Sequence, residues 1–440
     1  MNAARVLVIG AGISGLSAAF ELLRQGREVV VADAGHTAGG VLRTFRGSGY
    51  LFEDGPNTVQ GSAAPFLSLI DDLGLSAELL PCAAAASRRS FVAGGRMKDV
   101  PASPPALLFS SLFSFGEKLR LLREPRIAPR VVDPAASPED EETVFAFFAR
   151  RFGRGPVERF LDAVTAGVNG GDPRRLGIES AFPEVVAMER EHGSVFKALG
   201  AKRRARPPGA AKPPAVVTLR GGLDGVADAI ARRLGPDRLK LGVRAAAIRR
   251  APDGGFDVAC VGAGGLVQLR AAKIVLAIPA AEAAALLAPF SPAASAALSA
   301  VLSASMAVVQ TGFALRDVPR LPVGFGALTP RREGLKMLGW ITPSHVFPGR
   351  APDGAVAVSG FRGGAFEPDV CERSDAELAE TSCAELGRVL GMNSPPRPAF
   401  TRVVRWPNVL PLANTGHAYR MRTAAEALRG AAPEIALIGN

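Results

Sequence analysis

The sequence predicts an α/β fold that opens on a parallel-sheet unit, and three observations carry that reading. The apolar run Val6 to Ile9 leads into a glycine turn, an apolar-periodic segment from Leu16 to Arg24 and a second run from Glu28 to Ala32. A strand, a helix and a parallel strand within about thirty residues make one βαβ unit. Helix and strand signals alternate again at Val217 to Leu219, Val226 to Leu234, Leu239 to Ile248, Phe256 to Val261 and Lys273 to Ala277. No repeat of fixed period is present, which sets aside solenoids and propellers. At 440 residues and 48% hydrophobic content the chain exceeds the size at which one core splits, so two or three domains are expected.

The first turn reads Gly10-Ala11-Gly12-Ile13-Ser14-Gly15. The N-terminus of a helix presents unpaired N–H groups and a positive dipole end, and an anion can reach them only where no side chain intervenes. Gly10 makes the turn, Gly12 gives a pyrophosphate room and Gly15 lets helix and strand approach. Ala11 and Ser14 belong to the same loop and helix start. Asp33, followed by Ala34, ends the second strand eighteen residues after Gly15, where an acid holds the ribose of an adenosine. A second glycine turn, Thr37-Ala38-Gly39-Gly40-Val41-Leu42-Arg43-Thr44, follows at once.

The rest of the chain narrows the function class mainly by exclusion. Its net charge of +11 favours an anionic surface or substrate over a cationic one. Nucleic acid is not expected, because the basic residues are scattered and only Trp340, Trp406, Tyr50 and Tyr419 join the phenylalanines as stacking platforms. Cys82, Cys260, Cys371 and Cys383 show neither CxxC nor finger spacing, which fits a reducing, cytoplasmic setting with no metal. His36, His192, His345 and His417 lie far apart, no HExxH or GxSxG occurs, and the acids at 139 to 142 read as solvated. Met1 leads into a strand within five residues, so no secretory signal is expected and the N-terminus reads as mature.

Three stretches call for a reading of their own. Ala283 to Leu315 has transmembrane length but holds Pro289, Pro292 and serines at 291, 295, 299 and 303, so it reads as a partly buried soluble helix running into a strand near Met306. Residues 101 to 125 are apolar first (Leu107, Leu108, Phe109, Leu112, Phe113, Phe115) and basic afterwards (Lys118, Arg120, Arg123). Insertion into a membrane surface and an internal helix with a basic wet face both fit that pattern. Lys202 to Ala215, with four basic residues before its prolines, reads as a linker or mobile loop.

The paired-glycine turn after Asp33 resembles the FAD-dependent amine oxidase superfamily, and the motifs beyond it resemble the protoporphyrinogen and coproporphyrinogen oxidases within it. Gly55-Pro56-Asn57-Thr58, Val100 to Ala106, Ala166 to Pro173, Gly324 to Pro330, Leu338 to Ile341, Phe361 to Gly364 and Arg405-Trp406-Pro407 stand in family order along essentially the whole chain. The resemblance implies a Rossmann-type FAD-binding domain of the amine oxidase and glutathione reductase kind (1–78, 214–285 and 400–440), an α+β substrate domain (79–100 and 286–399) and a helical membrane-associating domain (101–213). It implies FAD as cofactor, with Gly39, Gly40, Arg43, Gly55, Pro56, Asn57, Thr58 and Trp406 on the flavin side and the Val243 backbone at the adenine. Arg89 would pair with a substrate carboxylate, Gly167 would offer backbone to the tetrapyrrole, and Leu328, Ile341 and Phe361 would clamp it.

No side chain is expected as a catalytic acid or base, since a flavin takes the hydride itself. The implied activity is oxidation of protoporphyrinogen IX to protoporphyrin IX in haem biosynthesis, with molecular oxygen as acceptor, at a peripheral membrane location and with room for a homodimer. Coproporphyrinogen III is the alternative substrate. A flavin amine oxidase or desaturase, and a non-catalytic fragment, are the readings outside that activity. The sequence ends at Leu437-Ile438-Gly439-Asn440, where the family continues into a glycine-containing motif and a helix, so weaker FAD retention and lower stability than in relatives are expected.

Overall fold

The structure is a computed structural model that describes residues 5–84, 88–100, 113–130, 137–205 and 213–439. Its first layer is a five-stranded parallel sheet in the order Leu239–Leu241, Val29–Asp33, Val6–Ile9, Lys273–Leu276 and Ile435–Leu437. The central strands Val6–Ile9 and Val29–Ala32 are continuously apolar because both of their faces are covered. Val8, Val29 and Val31 face the helices Ile13–Arg24 and Asp224–Arg238 through Leu16, Phe20, Val226 and Ile230. Leu7, Ile9, Val30 and Ala32 face the opposite side, where Phe256, Val258, Leu287 and Leu428 complete a second core.

The second layer is a mixed seven-stranded sheet in the order Phe400–Pro411, Ser303–Ala314, Ala355–Gly363, Gly339–Ile341, Gly326–Leu328, Arg89–Ala93 and Arg96–Asp99. Val92, Phe313, Ala327, Trp340, Val356 and Val358 turn one face towards Cys383, Leu386 and Val389 of the helix Asp375–Val389. The alternate residues of the same strands form the other face, which carries the candidate site. Phe400–Pro411 is an edge strand of this sheet, although the sequence groups 400–440 with the dinucleotide-binding parts.

The single helix expected from Ala283 onward is instead two, Ala280–Leu287 and Pro292–Ser299, before the strand Ser303–Ala314. Ser291 caps the second helix by accepting the Ala294 N–H at 3.3 Å, and Pro292 occupies its first turn, where a missing N–H costs nothing. The serine stripe is therefore split between a cap, a helix and a strand start. Ser295 donates to the Ala284 carbonyl at 2.8 Å and ties the two helices together.

A helical layer covers Phe115–Arg123, Val144–Phe152, Arg154–Asn169, Pro183–His192 and Val195–Ala205. The fully buried Arg151 anchors it by pairing with Glu189 and, at 3.1 Å, with Glu124. Glu124 in turn accepts the Val195 N–H at 3.1 Å, so one ion pair fixes two helices and a turn. Two expectations change here. Lys202, Arg203 and Arg204 form the last turn of Val195–Ala205, where basic side chains face the negative end of the helix, so they belong to that helix and not to a linker. Residues 206–212 of the expected linker lie outside the described residues.

Of the acids at 139 to 142, Glu141 is half-buried and accepts the Glu179 and Gly416 N–H groups at 2.9 Å each, while Glu142 pairs with Arg150 at 2.8 Å. They are structural ties and not a solvated run. Pro101 to Leu112, the apolar half of the stretch 101 to 125, lies outside the described residues.

Candidate active site

Three backbone turns nest against one another at the carboxyl end of the parallel sheet. A Cβ on Gly10 would collide with the Ala277 carbonyl, and one on Gly15 with the Gly10 carbonyl, so strand, turn and helix touch through bare backbone. A Cβ on Gly12 would meet nothing within 4 Å, which leaves the space before the Ile13–Arg24 helix open. The second turn docks on the first: Gly39 donates its N–H to the Ala11 carbonyl at 2.8 Å, and a Cβ on Gly40 would lie 3.1 Å from the Gly12 Cα. The third turn docks on the second, since a Cβ on Gly55 would strike the Val41 carbonyl. Within it Asn57 folds back to donate to the Gly55 carbonyl at 2.9 Å, and Thr58 leads into the short strand Val59–Gln60.

Asp33 has a structural duty that the sequence did not disclose. Its two carboxylate oxygens accept the Ala11 N–H at 2.6 Å and the Gly35 N–H at 2.7 Å, which locks the first turn to the end of the second strand. A carboxylate offers about four lone-pair sites, so acceptor capacity remains for a hydroxyl. Val243 donates its own N–H to the Asp33 carbonyl at 2.7 Å, which leaves its carbonyl as the backbone group available there. Ser14 lies at the helix start, where its Oγ would come within 3.4 Å of a Cβ on Gly439.

The five side chains singled out from the second sheet share its free face. Cross-strand register sets Arg89, Gly326, Ile341, Ser359, Gln310 and Arg402 in one row, and Phe91, Leu328, Gly339, Phe361, Val308 and Val404 in the next. Trp406 follows two residues after Val404 on the same face. Gly167, near the end of Arg154–Asn169, reaches this surface from above: a Cβ there would lie 2.6 Å from Leu328 Cδ2. Arg89 is exposed, lies against the Phe325 ring at 5.2 Å and has no ion-pair partner among the described residues, whereas its neighbour Arg88 pairs with Asp99 at 2.9 Å.

Arg43 and Trp406 meet, with the guanidinium 5.2 Å from the ring centroid. Trp406 Nε1 donates to the Asp54 carbonyl at 2.7 Å, so the sheet holds the third turn. Sequence reasoning missed Gln310 and Arg402, which bind the Asp54 carboxylate beneath that turn. A glutamine within the apolar run Ala307-Val308-Val309-Gln310 was the one signal that a buried polar contact lay there.

The model of the family described as flavin containing amine oxidoreductase matches residues 13–435. The chain belongs to that family. It is an FAD-dependent oxidoreductase. The chain is 33% identical to the chloroplastic protoporphyrinogen oxidase of Nicotiana tabacum over 96% of its own length and 78% of that protein's. It is 26% identical to the coproporphyrinogen III oxidase of Bacillus subtilis (strain 168), over 99% and 93% respectively. The solved structure of cyclohexylamine oxidase from Brevibacterium oxydans IH-35A shares the fold, with a TM-score of 0.71 at 20% identity, covering 99% of this chain and 93% of that one.

The residues present fit a flavin dinucleotide. The space before Gly12 is open, the surrounding turns leave no room for a side chain at Gly10, Gly15 or Gly55, and the free face of the second sheet adjoins the third turn through Trp406. Among the described residues no helix is long and apolar enough to cross a membrane.

Proposed function

We propose that this chain oxidises a porphyrinogen to a porphyrin with molecular oxygen as acceptor, and that protoporphyrinogen IX of haem biosynthesis is its substrate. The observation that carries the reading is Arg89, a guanidinium with no ion-pair partner among the described residues, at the end of a sheet row that continues through Ile341 and borders the row of Leu328 and Phe361. An apolar patch with a free cation at its edge suits a flat macrocycle bearing propionates, because a guanidinium binds a carboxylate with two parallel hydrogen bonds. The substrate's ring would rest on Leu328, Ile341, Phe361 and the Gly167 backbone, with Arg89 orienting one propionate.

On the cofactor side, Gly10, Ala11, Gly12, Ser14 and Gly15 would hold the pyrophosphate, Asp33 and Ala34 the ribose, and the Val243 carbonyl the adenine. Gly39, Gly40, Arg43, the Gly55-Pro56-Asn57-Thr58 turn and Trp406 would bound the ring. When bound, the flavin supplies the hydride acceptor and the route of electrons to oxygen. The protein's part is positional: it orients the macrocycle, excludes water from an apolar face and needs no acid or base of its own.

Coproporphyrinogen III remains the second reading, because relatives of both names align over nearly the whole chain. The closer identity lies with the protoporphyrinogen oxidases, at up to 33% against 26% and 28%. Aerobic turnover of the two porphyrinogens side by side, followed by porphyrin fluorescence, tests both. Faster turnover of protoporphyrinogen is expected; faster turnover of coproporphyrinogen reverses the assignment, and no porphyrin from either substrate with flavin bound rejects the reading.

We also propose that the helical layer lies against a membrane surface. The helix Phe115–Arg123 exposes Phe115 (84%), Leu119 (40%) and Leu122 (56%) at i, i+4 and i+7, one apolar stripe beside Lys118 and Arg123.

A further inference from the structure

We propose that Asp54, Gln310 and Arg402 are positioning residues that set the Gly55–Thr58 turn between the dinucleotide cradle and the substrate-facing sheet. Every polar group of Asp54 is engaged, and each engagement reaches a different part of the fold. Its N–H donates to the Arg43 carbonyl at 2.8 Å, at the end of the second glycine turn. Its carbonyl accepts Trp406 Nε1 at 2.7 Å from the edge strand. One carboxylate oxygen accepts Arg402 Nη2 at 2.8 Å, and the other accepts both Arg402 Nη1 and Gln310 Nε2, the latter at 3.1 Å.

Gln310 closes the set. It accepts Arg402 Nη1 at 2.9 Å and donates to the Glu53 carbonyl at 3.1 Å. The Arg402 guanidinium is steadied from its other side by the Phe45 ring at 4.7 Å, which stacks on Phe400. Asp54 and Gln310 are buried, at 5% and 0% exposure. Taking a carboxylate and an amide out of water is unfavourable unless each lone pair and N–H is matched, and here the matching fixes one geometry. A fork with two parallel bonds restrains direction as well as distance, which a single lysine ammonium does not. The turn so restrained is the one whose other side packs on Val41 of the second glycine turn.

The proposal rests on the flavin cradle described above and predicts that the clamp governs the flavin's surroundings more than the stability of the fold. The test uses the full chain with Arg402→Lys, which keeps the charge and loses the fork, and Gln310→Met, which keeps the volume and loses the bridge. Three quantities are read: the FAD dissociation constant by fluorescence titration of flavin-free protein, the visible band shape and reduction potential of bound FAD, and thermal unfolding without flavin. Both variants are expected to unfold close to the wild-type temperature while binding FAD about tenfold more weakly and with an altered band shape and potential.

Wild-type affinity within twofold together with an unchanged spectrum and potential in both variants overturns the clamp. So does failure of both variants to fold, which makes the network an ordinary structural tie. If the wild-type chain itself takes up no FAD, the cradle reading falls, and the proposal with it; that outcome is separable because it appears before any substitution.

Discussion

Arg89 shows how a single residue can be read from what it lacks. Its neighbour Arg88 is paired with Asp99, whereas Arg89, lying against the Phe325 ring, has no ion-pair partner among the described residues and stands on the row that also holds Ile341. A guanidinium that meets a substrate carboxylate there gains charge-assisted hydrogen bonds worth about 1.5 to 3 kcal/mol, which is roughly ten- to a hundredfold in binding. Arg89→Ala should therefore raise KM by about that factor while kcat falls less than about threefold, because the group binds a remote part of the substrate and not the reacting carbon. Steady-state kinetics with the natural porphyrinogen and with its neutral propionate ester would check this. The ester should be nearly insensitive to the substitution, and equal losses for acid and ester would remove Arg89 from substrate binding.

At the scale of elements, the parts that were legible are those whose signals are local. The Gly10 to Gly15 turn, the flanking strands and the Asp54 to Asn57 loop follow from adjacent residues, and the structure carries them as read. The alanine-rich stretch from Ala283 reads in the sequence as one soluble helix because alanine gives little contrast between helix faces, whereas in the structure the Ser291 cap and Pro292 start a second helix. The Asp54 clamp was illegible for a different reason: Gln310 stands 256 positions from Asp54 and 92 from Arg402, and only strand register brings them together. The helix Phe115–Arg123 lies between these cases. The sequence reads this stretch as apolar up to Phe115 and basic afterwards, and the structure is needed to show that Leu119 and Leu122 join Phe115 on an exposed face while Phe113 packs towards Phe160. If the stripe inserts into a bilayer, Phe115→Ser with Leu119→Ser and Leu122→Ser should abolish sedimentation with anionic phosphatidylglycerol vesicles and leave porphyrinogen turnover in detergent unchanged. Vesicle binding equal to wild type would assign the stripe to another partner.

The whole molecule is tied together at Glu53, the residue before Asp54. Its carboxylate accepts Thr44 Oγ1 at 2.7 Å and the Leu223 N–H at 3.0 Å, just ahead of the helix Asp224–Arg238, and Arg350 Nη2 stands 4.0 Å away. Arg350 itself donates to the Leu219 carbonyl at 2.8 Å, so the junction joins the cradle, the strand Val216–Leu219 and the segment leading into Ala355–Gly363. Burial pushes Glu53 up from an ordinary value of 4.5 to about 7, and the hydrogen bond from Thr44 and the Arg350 charge offset this only in part. A carboxyl that is easier to protonate folded than unfolded adds stability that is complete below about pH 4.5 and is lost as pH rises through about 7. The wild-type chain should therefore lose about 1 to 3 kcal/mol relative to Glu53→Gln between pH 4.5 and 8, whatever the absolute effect of the substitution at either end. Urea unfolding of both proteins across that range measures the difference directly. Parallel stability curves would mean that Glu53 is already ionised in the folded protein, held by Arg350, and that the junction between cradle and sheet is a true ion pair.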